Sequence, residues 1–139
     1  MVTGAEADAI IQEPKVIGAN LSWKPDRRSF RLEATVLTID SGQLLKLRGY
    51  IGLKKRSFAL LYKNIPIRMY TVHDRHRNPL TGEIVRDPHK HYWDDVWEDD
   101  LIEIPDDIRA GDPNTEFMDF LKECNITLHG GYSARAFFR

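Results

Sequence analysis

Apolar and polar residues alternate through the middle of this chain with a period of two, the pattern of strands that bury one face. From Ser29 to Ile39, Phe30, Leu32, Ala34 and Val36 share one side, and Arg31, Glu33 and Thr35 the other. Asp40-Ser41-Gly42 turns the chain. Gln43 to Leu53 then sets Leu45, Leu47 and Ile51 against Lys46, Arg48 and Tyr50. After the basic turn Lys54-Lys55-Arg56, Ser57 to Lys63 alternates Phe58, Leu60 and Tyr62 with Ala59 and Leu61, and Pro66 breaks the run. Ile67 to Asp74 and Ile84 to Trp93 read as the two arms of a hairpin around Asn78-Pro79-Leu80-Thr81-Gly82. Val16 to Trp23, Leu101 to Ile104 and Ile126 to Leu128 are weaker strand candidates.

The period lengthens to that of a helix once. Phe117, Phe120, Leu121 and Cys124 form one stripe, with Glu116, Asp119, Lys122 and Glu123 facing away. Asp112 is placed to cap this helix, Pro113 to begin it and Asn125 to end it, so it spans about 113–124. Cys124, on the apolar stripe, is a core residue and not a nucleophile. Consecutive strands joined by short turns make a meander. The expected fold is α+β: a strongly curved antiparallel sheet of five to seven strands, or a partial barrel, with one C-terminal helix packed on it. Residues 1–14 read as a flexible tail, loose or partly helical, residues 15–128 as a single domain and 129–139 as a second tail. The aromatics Phe137 and Phe138 either dock on the core or serve a partner.

A chain of 139 residues with 42% hydrophobic and 29% charged content fits one globular domain. No apolar run is long enough for a membrane span, and the opening MVTGAEADAI has no basic region of a signal peptide. The lone cysteine fits a reducing compartment, so a cytoplasmic protein is expected. The net charge of −1 conceals an asymmetry. Between Lys15 and Arg77 there are fourteen Lys and Arg against four acids, Asp26, Glu33, Asp40 and Asp74; between Asp94 and Asp112, Arg109 alone faces nine acids. The basic part suits a phosphate backbone, or is simply the solvated side of a sheet.

The hairpin concentrates the chemistry. His73, His76, His89 and His91, four of the five histidines, lie on it. A four-residue loop pairs Asn78 with Glu83 and, carried along the arms, sets Tyr70 opposite His91 and Val72 opposite His89. A one-residue bulge at Gly82 instead sets His73 opposite His89 and Thr71 opposite His91. In both registers His89 and His91 share a face. Pro88 places that strand at an edge or bulge, so both rings are expected within reach of solvent.

Three readings stay open. In the first, a metal-independent, nuclease-like protein acts on RNA, with His76, His89 and His91 as acid–base groups and Arg75, Arg77 and Lys90 holding phosphate. In the second, the basic sheet binds RNA, DNA or a protein partner without chemistry. In the third, His89 and His91 with Asp74 or Asp87 bind a divalent metal. No cofactor other than such a metal is implied.

His76, Asn78-Pro79, Gly82-Glu83, Pro88-His89, His91-Tyr92 and the closing Cys124-Asn125-Ile126 carry a resemblance. Over about residues 56–126 the chain resembles a family of small prokaryotic proteins of unknown function, with an H-x-NP-x-GE turn, a PHxHxY strand and a C-terminal helix ending in CNI. The turn here, NPLTG, is one residue longer. The resemblance implies a shared fold and an important hairpin, and names no reaction.

Overall fold

A computed structural model describes residues 2–72, 76–85 and 87–138, and of His76 and Asp100 the backbone alone. The elements in chain order are α1 (Gly4–Gln12), β1 (Lys15–Ile17), β2 (Leu21–Ser22), β3 (Lys24–Asp26), β4 (Ser29–Thr38), β5 (Leu44–Ile51), β6 (Arg56–Tyr62), β7 (Ile65–Val72), β8 (His76–Arg77), β9 (Ile84–Val85), β10 (His89–Asp94), β11 (Glu98–Glu103), α2 (Pro113–Glu123), β12 (Ile126–Leu128) and β13 (Tyr132–Ser133).

The main sheet runs β11-β10-β7-β6-β5-β4-β1-β12, with β3 also paired to β4. From β4 to β11 its neighbours are antiparallel, the meander that the alternation predicts. At the far end β1 and β12 pair in parallel, Lys15 opposite Ile126, so the sheet is mixed rather than purely antiparallel. Its path has two ends and does not close into a barrel. Pro66 does not end a strand. It lies inside β7, where the pairing with β6 shifts register at Leu60/Leu61, so its missing N–H falls at an irregularity.

α2 begins and ends where its sequence dictates. Asp112 Oδ2 accepts from Thr115 N at 3.0 Å, and Asn125 adopts φ 58°, the left-handed conformation that terminates helices. Phe117, Phe120, Leu121 and Cys124 are buried. Phe58 of the sheet meets Phe117 at 5.3 Å, Phe120 at 6.0 Å and Tyr70 at 5.9 Å between ring centroids.

A second helix, α1, stands where a loose or partly helical tail was expected. Thr3 Oγ1 accepts from Glu6 N at 3.0 Å while Glu6 Oε1 accepts from Thr3 N at 3.4 Å, a capping box. Val2, Ala7, Ile10 and Ile11 are buried in the core. One ammonium joins both helices to the sheet. Lys15 Nζ, fully buried, donates to Ile11 O at 2.8 Å, Glu13 O at 2.7 Å and Cys124 O at 2.7 Å. It thereby satisfies carbonyls at the C-terminal ends of α1 and α2, where a cation is favoured.

The C-terminal aromatics dock. Phe137 packs edge-on against Trp23 at 5.8 Å and Phe30 at 5.1 Å, and Phe138 against Phe30 at 5.5 Å. Trp23 also lies over Gly49 so closely that a Cβ there would stand 2.3 Å from its ring. Gly49→Ala is therefore expected to lose about 1–3 kcal/mol of stability through overpacking, read as a lower urea midpoint at unchanged m.

Candidate functional site

β7 and β10 lie side by side, with His89 opposite Thr71, Lys90 opposite Tyr70, His91 opposite Met69 and Tyr92 opposite Arg68. Alternation sends these residues to two faces.

Towards α2, a charged cluster fills the space between sheet and helix. Glu116, fully buried, receives Arg56 Nε in a short ion pair and the Tyr70 hydroxyl at 2.6 Å. Glu123 pairs with Arg68 and, at 3.3 Å, with Lys90 Nζ, which also reaches Asp107 at 3.1 Å. Burial pushes Lys90 down, but Glu123 and Asp107 outweigh it and hold the ammonium above its usual range. Burial, reinforced by a hydrogen bond to Glu103, pushes the Tyr92 hydroxyl up to about 12. Burial, with Glu116 as acceptor, also holds the Tyr70 hydroxyl well above a free phenol.

On the opposite face His89 and His91 stand together, their ring centroids 4.8 Å apart. His89 Nδ1 contacts Asp87 O at 2.7 Å and His91 Nδ1 contacts Asp99 O at 2.9 Å. A carbonyl oxygen only accepts, so both Nδ1 atoms carry the proton. The two Nε2 atoms converge on Thr71 Oγ1, at 2.9 Å from His89 and 3.3 Å from His91.

Two expectations about this hairpin are corrected. Around the turn the four-residue loop holds: Asn78 N donates to Glu83 O at 2.8 Å and Arg77 pairs with Ile84. Between that arm and the sheet the pairing slips by one residue, so Thr71, and neither Val72 nor His73, faces His89. Nor is β10 an edge. β11 pairs along its outer side, and Pro88 precedes the first paired residue, where no N–H is needed. His89 and His91 are 0% and 5% exposed rather than open to solvent.

The other candidates are scattered. Lys90 faces α2, away from the histidines. Arg77 is exposed on the arm and donates to Gly82 O at 2.7 Å. Asp87 meets His89 through its carbonyl. His76 is placed by its backbone in β8, and His73, Asp74 and Arg75 lie outside the described residues. Thr71 is the member of the histidine cluster that residue type alone does not announce; only the register identifies it.

The histidine face continues across the sheet into the basic part. One row in register reads Arg31, Tyr50, Ser57, Thr71, His89, and the next Glu33, Arg48, Ala59, Met69, His91. Arg31, Lys46 and Arg48 are exposed. Along β4, β3 pairs only with residues from Ser29 to Arg31 and β1 only with Leu37 and Thr38. In the gap between them the segment after β1 folds over, leaving a depression of about 340 Å³ lined by Asn20, Ser22, Lys24, Arg31, Glu33 and Arg48. Arg31 pairs with Asp26 at 3.0 Å and Arg48 with Glu33 at 3.2 Å, all four side chains more than half exposed. Such exposed pairs contribute about 0–1 kcal/mol each, so an anion displaces them readily.

Comparison with models of protein families, with curated proteins and with solved structures finds no match. Among the described residues no helix is long and apolar enough to cross a membrane.

Proposed function

We propose that this protein binds nucleic acid through the β4–β5 face, with the backbone phosphates drawn to Lys24, Arg31, Arg48 and Lys46. The observation that supports this reading is the depression in which Lys24, Arg31 and Arg48 surround a cavity with Glu33 as its acid. Its size suits a phosphate and part of a sugar, and the turn residues Arg27 and Arg28, both exposed, extend the positive surface. Acid–base cleavage by His76, His89 and His91 has less geometric support, because His89 and His91 are buried with Nδ1 of each ring turned to a backbone carbonyl.

Fluorescence anisotropy with a labelled single-stranded oligonucleotide tests the reading. For about three phosphate contacts, log Kobs is expected to fall with log[salt] at a slope of roughly −2. Arg31→Ala with Arg48→Ala should weaken binding and make the slope shallower by about 1–2. Salt-independent binding, or binding unchanged in the double variant, would remove the β4–β5 face from consideration. Intact oligonucleotide after prolonged incubation is the expected outcome; cleavage that disappears in His89→Gln would return the histidines to the centre of the mechanism.

A further inference from the structure

We infer that the β4–β5 face selects single-stranded RNA, with an unpaired base stacked on Tyr50 and a ribose 2′-hydroxyl donating to Glu33. The inference rests on the phosphate-binding reading above and names what that surface takes.

Three observations carry it. The first is that Arg31 lines two depressions. It shares one with Lys24 and Arg48, and a more open one, of about 480 Å³, with Arg27, Arg28 and Tyr50. Arg27 and Arg28 form the tight turn from β3 to β4, where Arg27 holds φ 58°, a conformation that costs glycine less. Cations thus line both depressions, and the aromatic ring stands beside the residue that they share.

The second observation is the setting of that ring. Tyr50 is half-buried and lies opposite Arg31 in register, its ring centre 5.1 Å from the guanidinium carbon. A Cβ at Gly52 would stand 2.6 Å from Tyr50 Oη, so the phenol lies back over a position without a side chain. Arg48 precedes Tyr50 by two residues on the same face, about 7 Å away along the strand. One nucleotide reaches from a phosphate on Arg48 to a base on Tyr50. Bases stack on aromatic rings and on guanidinium planes alike. An exposed guanidinium–phenol pair is also weaker than a base–aromatic stack, so a base can displace it. A duplex gains nothing here. Its bases are covered by their neighbours, and Tyr50 sits within the sheet between Arg31 and Ser57, where only an unstacked base arrives.

The third observation is the acid among the cations. Beside a phosphate alone, Glu33 would only repel. It lines the same cavity as Lys24, Arg31 and Arg48, and its Oε1 meets Arg48 Nε at 3.2 Å. A carboxylate has about four lone-pair sites, so a hydroxyl can donate to Glu33 while the ion pair stays. The 2′-hydroxyl of RNA is such a donor, and deoxyribose lacks it.

The test compares one labelled sequence without self-complementarity in three forms: RNA, DNA, and the RNA annealed to its complement. Anisotropy at fixed salt should show the single-stranded RNA bound most tightly. Tyr50→Leu, which keeps bulk without a π face, should weaken it about fivefold or more and leave the duplex unchanged. Tyr50→Phe should bind as wild type does. Glu33→Ala should bring the RNA-to-DNA affinity ratio to one, a readout in which its lost charge cancels. Equal affinity for strand and duplex, or for RNA and DNA, overturns the inference. So does Tyr50→Leu binding like wild type with a native circular-dichroism spectrum. If Arg31→Ala with Arg48→Ala still weakens binding in those cases, the phosphate surface stands. Absence of salt-dependent binding to all three forms removes that reading and this inference with it.

Discussion

Replacing Glu116 with alanine is expected to cost about 3–5 kcal/mol of stability, the usual penalty for removing one partner of a buried ion pair. The Glu116 side chain is wholly inaccessible and meets Arg56, the Tyr70 hydroxyl at 2.6 Å and, at 3.4 Å, Gly111 N. Alanine strips all three at once and leaves a cationic guanidinium and a phenol facing a void. Glu116→Gln keeps the volume and one oxygen, so roughly half the loss is expected, and Tyr70→Phe, which removes only a hydroxyl, about 1 kcal/mol. Urea denaturation of the three variants checks the order. A Glu116→Gln protein as stable as wild type would mean that the pair adds nothing beyond its shape.

The second large effect belongs to Lys15. Lys15→Met fills much the same space but leaves Glu13 O and Cys124 O without their donor, while Ile11 O keeps Asn125 Nδ2 at 2.9 Å, a loss of about 3 kcal/mol on the scale of buried unsatisfied carbonyls. The pH dependence gives a signature that packing alone cannot. Burial lowers the Lys15 ammonium from 10.5 to about 8, against the opposing pull of Cys124 and Glu13. Between those two values the unfolded chain binds the extra proton, so stability rises with pH from about 8. Cys124 acts in the opposite sense. Burial and Glu123 raise its thiol well above 9.0, so above that value the unfolded chain has lost a proton that the native state keeps, and stability falls. Above 10.0 the raised hydroxyls of Tyr70 and Tyr92 add to the fall, joined from 10.5 by the raised Lys90 ammonium. Wild type should therefore gain stability between pH 8 and 9, level off, and lose it above 10, whereas Lys15→Met should lack the initial gain. Parallel curves for the two proteins across pH 8–9 would show that Lys15 does not titrate in that window.

Local order was legible in the sequence wherever one residue's neighbours decide its state. The alternation of Phe30 to Val36 gives β4, and Asp112-Pro113 with the stripe from Phe117 to Cys124 gives α2. Even α1 had a local signal in Thr3, Glu6 and the spacing of Ala7, Ile10 and Ile11, which a short sequence rich in small and acidic residues masked. What stayed hidden depends on partners far along the chain. Lys15 and Arg68 read as part of a phosphate surface or a solvated face and Lys90 as a phosphate holder, yet each lies against α2 or its C-terminal end, more than thirty residues away in sequence. The histidine pair was legible as a shared face, since residues two apart in a strand cannot avoid it. Its burial was not, because it depends on contacts made beyond the hairpin, such as that of His91 Nδ1 with Asp99 O of β11. Its partner was not either, because a slip of one residue between the turn and the sheet selects Thr71.

The parallel pairing of Lys15 with Ile126 bears on how the chain is made and cut. β1 has one partner near it in sequence, β4, and another, β12, that is made only after α2. During synthesis α1 must wait for that strand, with Ile10 and Ile11 uncovered and the Lys15 ammonium one acceptor short, while the central hairpins are already free to form. A protease nick that releases Ile126–Leu128 thus does more than trim an edge. It uncovers α1, and limited proteolysis should show α1 and β12 lost together.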